Sequence, residues 1–407
     1  MTTIEQTSRR RRESRERERR ASSGRGKRKI NFSLLNIGKG LDVPFVLLIF
    51  VLLAIGITMM FSASYPVAFY ENNDSYYYLK KQLLFAAIGL AVMLAVSFID
   101  YHYYHRFAAI ILAISYVALI LVLILPAQAG GVHRWIGMGS FGIQASEISK
   151  FAIVLFMAHW GSRYYDRMGT LKYGVLPGAA VLVSTAALLI LEPHYSCIVI
   201  IALLTVIMMF VSGIKIKWLA VAAIGLVAVI LLLWVTGLLT YAMERLDGWG
   251  QALNENLDRD MWNATYQTRN SLYAIGSGGL FGLGLGQSRQ KYLYLPEPQN
   301  DFIFAIVCEE LGLVGAVVIL LIFALLVWRG IIISLRARDR FGKLLGIGLT
   351  SHIGLQVILN ILVITDWLPN TGISLPFFSY GGSSLLTLMF EMGVILSVSR
   401  TSNIEKT

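Results

Sequence analysis

Asp301 closes the polar stretch Leu295-Pro296-Glu297-Pro298-Gln299-Asn300-Asp301 and opens directly into Phe302-Ile303-Phe304-Ala305-Ile306-Val307. A carboxylate presented by a proline-stiffened loop at the mouth of an apolar segment can serve as a general base. The same run, Pro298 to Asp301, is also good helix-start chemistry, and an N-cap is the competing reading. Glu309 and Glu310 follow about 12 Å further along a helix. They lie too far in to be caps and need partners within the bundle. A second group is Arg134-Trp135-Ile136-Gly137 with Gln144-Ala145-Ser146-Glu147-Ile148-Ser149-Lys150. Glu147 and Lys150 are i,i+3 neighbours and can pair, yet Lys150 sits in a first helical turn, where the macrodipole disfavours a cation. Either the two form a salt bridge that pins helices, or Lys150 belongs to a basic site for a phosphate group, reinforced by Arg134. Glu192-Pro193-His194 reads as a tight turn with an interfacial carboxylate. In Gly372-Ile373-Ser374-Leu375-Pro376-Phe377-Phe378-Ser379-Tyr380-Gly381-Gly382-Ser383-Ser384, proline, paired glycines and hydroxyls imply a broken or re-entrant helix lining a polar cavity. The Gly-rich run from Gly276 to Gly286 lacks the spacing of a phosphate-binding loop, so it reads as close packing or a re-entrant loop.

The elements that must position these residues are membrane helices. Of 407 residues, 56% are hydrophobic and 14% charged, beyond the apolar content of a soluble domain. A crossing takes about 20 apolar residues. Ten stretches fit or nearly fit: Pro44 to Ser64, Leu83 to Ile99, Phe107 to Leu125, Ser146 to Trp160, Val175 to Leu191, Tyr195 to Val211, Trp218 to Thr240, Phe302 to Trp328, Leu344 to Thr365 and Leu375 to Ser397. With both termini inside, the cytoplasmic segments hold 26 of the 35 Lys and Arg, as the positive-inside rule requires. The expectation is an all-α integral membrane protein with ten transmembrane helices, N-in and C-in. Residues 1–42 form a disordered basic tail, 43–398 the membrane domain with a large extracellular loop at 241–300 between helices 7 and 8, and 399–407 a short cytoplasmic tail.

The N-terminal tail supplies +8 of the formal +11 charge. Joined to a membrane span, it reads as an inside-retention signal near anionic lipid rather than a nucleic-acid site. Some 40 polar residues before the first span argue against a cleaved signal peptide. Cys197 and Cys308 each fall inside a span and suggest neither a disulfide framework nor a thiolate metal site. His102 and His105, among Tyr101, Tyr103 and Tyr104, read as an interfacial aromatic belt.

Taken in order, these groups resemble the SEDS family (shape, elongation, division and sporulation), that is, the FtsW, RodA and SpoVE proteins. The matching residues are Arg134-Trp135-Ile136 through Gln144-x-Ser146-Glu147-x-x-Lys150, Ala274-Ile275-Gly276 through Gly286, Leu295-Pro296-Glu297-x-x-x-Asp301-Phe302-Ile303-Phe304 with Glu309-Glu310-Leu311-Gly312, and Thr371-Gly372-Ile373 to Ser384. Gly284-Leu285-Gly286-Gln287-Ser288 and Tyr294-Leu295-Pro296-Glu297-Pro298 look more like the division and sporulation branches than the elongation branch. Two positions depart from the family pattern. Ala145 stands where a proline is usual, which alters only helix entry. His194 stands in place of a carboxylate, which puts any role of that turn in doubt.

The resemblance implies a peptidoglycan glycosyltransferase that polymerises lipid II on the outer face of the bacterial cytoplasmic membrane. It gives Asp301 the role of general base. Arg134, Glu147, Lys150, Glu297, Ser379 and Ser383 are the substrate-binding candidates, with Arg134 and Lys150 on the leaving diphosphate. No cofactor is required by the sequence, and a divalent cation, magnesium or manganese, could assist the diphosphate. The implied partners are a class B penicillin-binding protein and other divisome membrane proteins, with no nucleic acid. The competing function classes are a lipid II flippase, which needs charges along a path through both leaflets, and a non-catalytic divisome scaffold, which would tolerate neutralising Asp301, Glu147 and Lys150 together.

Overall fold

Among the described residues, Asp42, Asp258 and Asp339 each start a helix by accepting a backbone amide in its first turn. The computed structural model describes residues 40–125, 134–137, 142–218, 220–221, 246 and 248–401. Asp42 accepts from the Phe45 amide (3.0 Å) and starts α1, Val43–Asn72, with a proline in the first turn. Then come α2, Tyr77–Phe98, and α3, His102–Ile124. Trp135–Ile136 (β1) pairs antiparallel with Ile143–Gln144 (β2), and that two-stranded ribbon delivers the chain into α4, Ala145–Arg163. Next are α5, Leu176–Leu191, and α6, Tyr195–Val211. The seventh apolar run, 218–240, lies almost wholly outside the described residues, as do most of the basic tail and residues 402–407.

Three sequence expectations change. The supposed loop at 241–300 contains a 20-residue helix, α7, Arg259–Gly278, capped by Asp258. Its sequence is too polar to cross a membrane, and apolar patterning alone did not reveal it. α8, Ile303–Leu335, is 33 residues long, about 50 Å at 1.5 Å per residue, against roughly 30 Å of hydrocarbon. It runs on to Leu335, past the expected end at Trp328, and breaks at Gly312. α9 is Arg340–Ile364 and α10 Gly382–Thr401, so the tenth span begins seven residues later than Leu375. Residues 372–381 carry no helix, as the proline and glycines there demand.

Seven described helices, α1, α2, α3, α5 with its preceding turn, α8, α9 and α10, are long and apolar enough to cross a membrane, and α6 is a shorter apolar helix. The protein is a predominantly helical membrane protein. α10 packs along α2, α9 on α4 and α8, and α8 on α1. At one end of the bundle, Arg329 at the foot of α8 makes a forked pair with Asp42 (3.0 and 2.8 Å). At the other end, the 372–381 segment and the α7–α8 connection meet.

Candidate functional site

The backbone around Asp301 is held by three connections. Asn360 of α9 donates to the Asp301 carbonyl and to the Ile373 carbonyl, both at 2.7 Å. Ser379 donates from its hydroxyl to the Asn300 carbonyl (2.6 Å), and the same hydroxyl accepts from the Leu375 amide (2.7 Å). The Tyr380 amide donates to the Gln299 carbonyl at 2.8 Å. The loop before α8 and the non-helical 372–381 segment are thus tied together. Asp301 stands one residue before the assigned cap position of α8. α8 begins at Ile303, and the residue in the cap position is Phe302, which offers no side-chain acceptor. The carboxylate of Asp301 lies against Gly372, where an added Cβ would stand 3.4 Å from Oδ2 and where φ is +68°.

Gly372 and Ile373 belong to the wall of a cavity of about 570 Å³. Across it stand Glu147 and Lys150, joined at 2.8 Å and almost entirely buried. The ribbon places that pair: β2 ends at Gln144, and α4 starts at the next residue, so both side chains fall in its first two turns. The residues Trp135, Gln144, His194, Ser196 and Asn300 complete this part of the wall. Arg134 donates from Nη2 to the Pro193 carbonyl (2.6 Å), so the guanidinium is engaged at the α5–α6 turn. Within that turn Glu192 is fully buried. Burial pushes its carboxyl up to about 7, against the opposing pull of Arg134. The Glu297 carboxyl is also raised, by burial first and by Glu71 second.

The structure therefore brings Glu147 and Lys150 into one cavity and sets Asp301 beside its wall. Glu297 lies in the same loop as Asp301 and accepts from Asn300. Ser379 serves as the tie described above, and Ser383 is buried; its neighbour Ser384, rather than Ser383, lines the cavity. Reading the sequence missed Tyr77, Lys81 and Gln356, all of which line the cavity. α2 starts six residues earlier than its hydropathy indicates, which moves Lys81 from a loop into a helix. Lys81 Nζ sits 3.9 Å from the Tyr77 ring centroid. For Gln356, the signal was a polar residue inside an apolar span, four positions before Asn360.

Glu309 and Glu310 find most of their partners in the connection from α7, and Glu310 adds one, Ser62, from the neighbouring span α1. Glu309 accepts from the Arg289 amide (2.9 Å) and the Ser288 hydroxyl. Glu310 accepts from the Gly286 amide (2.9 Å), the Ser62 hydroxyl (2.7 Å) and Lys291 Nζ (2.8 Å). Lys291 is wholly buried. The glycines make this possible. Gly312 breaks the α8 helix with φ +66°, and Gly282 and Gly312 approach so closely that a Cβ on either would fall within 2.3 Å of the other segment's backbone. Leu283 and Gly284 then donate to the carbonyls of Glu309 and Glu310 (2.9 and 3.0 Å), while Leu313 donates to Gly279 (2.9 Å). Close packing, not phosphate binding, accounts for the Gly-rich run.

Residues 43–404 match a family described as "Cell cycle protein", the FtsW, RodA and SpoVE group. The chain is 40% identical over 364 residues to stage V sporulation protein E of Bacillus subtilis, covering 89% of this chain and 97% of that one. It is 35% identical over 360 residues to the probable peptidoglycan glycosyltransferase FtsW of Trichlorobacter lovleyi, covering 88% and 93%. Among solved structures, the rod shape determining protein RodA of Thermus thermophilus is similar, with a TM-score of 0.64 over 90% of this chain and 99% of that one at 23% identity. A chain from a peptidoglycan synthase complex that coordinates polymerization and crosslinking has a TM-score of 0.69 over 89% and 98%, also at 23% identity. At that identity these two are likenesses of fold.

Proposed function

The chain belongs to the FtsW, RodA and SpoVE family of cell cycle proteins, and from that premise we propose that it is a peptidoglycan glycosyltransferase. In this reading it polymerises lipid II into β-1,4 glycan strands at the outer face of the bacterial cytoplasmic membrane, for division or sporulation. The observation that carries the reading is the buried Glu147–Lys150 pair in a large cavity with Asp301 at its edge. A donor sugar on a polyprenyl diphosphate needs a cation for the leaving group and a base for the attacking hydroxyl, and those two groups flank one space.

The acceptor 4-hydroxyl oxygen attacks the anomeric carbon of the donor as the bond from that carbon to the diphosphate oxygen breaks. The electron pair leaves with the diphosphate, and the hydroxyl proton passes to Asp301. Converting an α-linked donor to a β product takes one inverting displacement, so no carboxylate nucleophile is required. Lys150, oriented by Glu147, meets the charge that develops on the diphosphate. Arg134 and Lys81 add positive charge near the same space, and Glu297 braces the loop that carries the base. A divalent cation, where the reaction uses one, would arrive on the diphosphate; among the described residues no three His, Cys, Asp or Glu gather to hold it.

The ten-span arrangement with both termini inside fits this assignment. The basic residues gather at the end of the bundle where Arg329 meets Asp42, and the cavity opens at the other. The fold neighbour from a complex that coordinates polymerization and crosslinking supports a crosslinking partner; in this reading that partner is a class B penicillin-binding protein, working alongside other divisome membrane proteins. The test is a split in steady-state kinetics on purified lipid II. Lys150→Met is expected to raise KM and lower kcat together, and Asp301→Ala to lower kcat about 10²–10⁴-fold. Wild-type kinetics in both variants would refute the assignment.

A further inference from the structure

The contact between α9 and α10 holds a polar pair that this mechanism leaves idle. His352 Nδ1 donates to Glu391 Oε2 at 2.9 Å, with both side chains buried. His352 lies midway along α9, about 18 Å from either end at 1.5 Å per residue. An ionisable pair at such depth is expensive, and apolar side chains of similar volume often do as well or better for stability. The second ring nitrogen, Nε2, is buried and has no hydrogen-bond partner among the described residues.

His352 lines a small chamber of about 20 Å³ whose wall also contains Glu147, Gln356 and Ser384. A polar chamber of that size has room for one water. Glu147, Gln356 and Ser384 also line the main cavity, as does Ser374, so the two spaces share these four residues as a common wall. Gln356 and Asn360 follow His352 at i+4 and i+8. One face of α9 therefore carries polar groups from mid-bundle up to the Asp301 carbonyl.

We propose that His352, backed by Glu391, is a positioning residue for the Glu147–Lys150 pair and acts through one water in the chamber. Glu391 accepts the hydrogen bond from Nδ1–H, which holds the neutral ring in the tautomer whose Nε2 is an acceptor. The water donates one hydrogen to Nε2 and the other to the Glu147 carboxylate, whose Oε2 already holds Lys150 at 2.8 Å. Fixing the carboxylate fixes the ammonium group that the diphosphate meets. The inference rests on the reading of Lys150 as the diphosphate cation.

The test uses the full-length protein in detergent or nanodiscs, with thermal stability, lipid II affinity and polymerisation kinetics measured side by side. His352→Leu/Glu391→Leu exchanges the polar pair for an apolar one. Its melting temperature is expected to equal or exceed wild type, while lipid II binding weakens about tenfold and KM rises in parallel. A folded double variant with wild-type affinity and KM overturns the proposal and leaves the pair merely structural. Should that variant not fold, His352→Asn and His352→Gln decide the matter. The shorter amide cannot span Glu391 and the chamber, and about tenfold is lost; the longer one can, and affinity stays within about threefold. Equal, wild-type affinity in both also overturns the proposal. Asp301→Ala serves as the control for the enzymatic reading: if it polymerises like wild type, that reading fails, while the affinity comparison still judges the role of His352.

Discussion

Lys291 and Glu310 offer a perturbation whose outcome can be worked from the geometry. The pair is fully buried at 2.8 Å, and removing one partner of such a pair costs roughly 3–5 kcal/mol. The two partners are not equally dependent on each other. Glu310 without Lys291 keeps the Ser62 hydroxyl and the amides of Gly286 and Ser288 (2.7, 2.9 and 3.3 Å). Lys291 without Glu310 keeps one hydrogen bond, to the Ser62 hydroxyl (3.2 Å), and the faces of Tyr65 and Tyr292, 4.8 and 5.9 Å from the ring centroids. Lys291→Met should therefore sit near the lower end of that range, at about 3 kcal/mol, and Glu310→Ala near the upper end, at about 5 kcal/mol. The damage should begin where Glu310 holds the 286–291 segment, before the helices separate. Thermal melting of the purified protein gives the order of the two variants, and limited proteolysis shows whether cleavage starts at 286–291. A Lys291→Met protein as stable as wild type, or a Glu310→Ala protein more stable than Lys291→Met, would refute the reasoning.

The other predictions are more compact. Glu192 is raised to about 7 from its ordinary value near 4.5. Its folded pKa exceeds its unfolded one, so its contribution is complete below about pH 4.5 and is lost as pH rises through 7. Glu192→Gln should leave stability at pH 4 unchanged and raise it at pH 8, as melting curves across that range would show; a variant less stable at pH 8 counts against burial as the cause. Gly312→Ala meets backbone at 2.3 Å with φ +66° and should abolish the α7–α8 stitching. Gly276→Ala meets nothing within 4 Å in a helix and should be neutral or gain about 0.5–1 kcal/mol. Equal folded yields from these two variants would contradict the packing argument. Asn360→Leu removes both ties at Asp301 and Ile373, and should lower kcat more than melting temperature; an unchanged kcat in a folded variant would show that Asp301 needs no such anchor.

Much of the site could be read from residue types because the membrane makes polar side chains conspicuous. Glu147, Lys150, Glu309 and Glu310 stood out for that reason, and the Pro376-to-Gly382 break was visible in its backbone chemistry. What escaped followed a different rule. α7 is held by Asp258 and by buried polar side chains such as Thr268, Asn270 and Ser271, so an apolar count across 259–278 misses it. Lys81 was lost with the early start of α2. Nothing in the local sequence tells that Glu309 and Glu310 face the 286–291 segment, since that pairing depends on two glycines 30 residues apart closing to van der Waals contact. Asp301 reads as a cap because its neighbours favour helix initiation; the turn at 301–302 puts the assigned start of α8 at Ile303, with Phe302 in the cap position.

The central claim meets its most direct test in glycan-strand formation from purified lipid II, resolved by chain length, for wild type and Asp301→Ala at matched folding, each with and without a class B penicillin-binding protein. The account predicts strands from the wild-type protein, with at least about a hundredfold fewer from Asp301→Ala whether or not the partner is present. Strand formation by Asp301→Ala at the wild-type rate would contradict it.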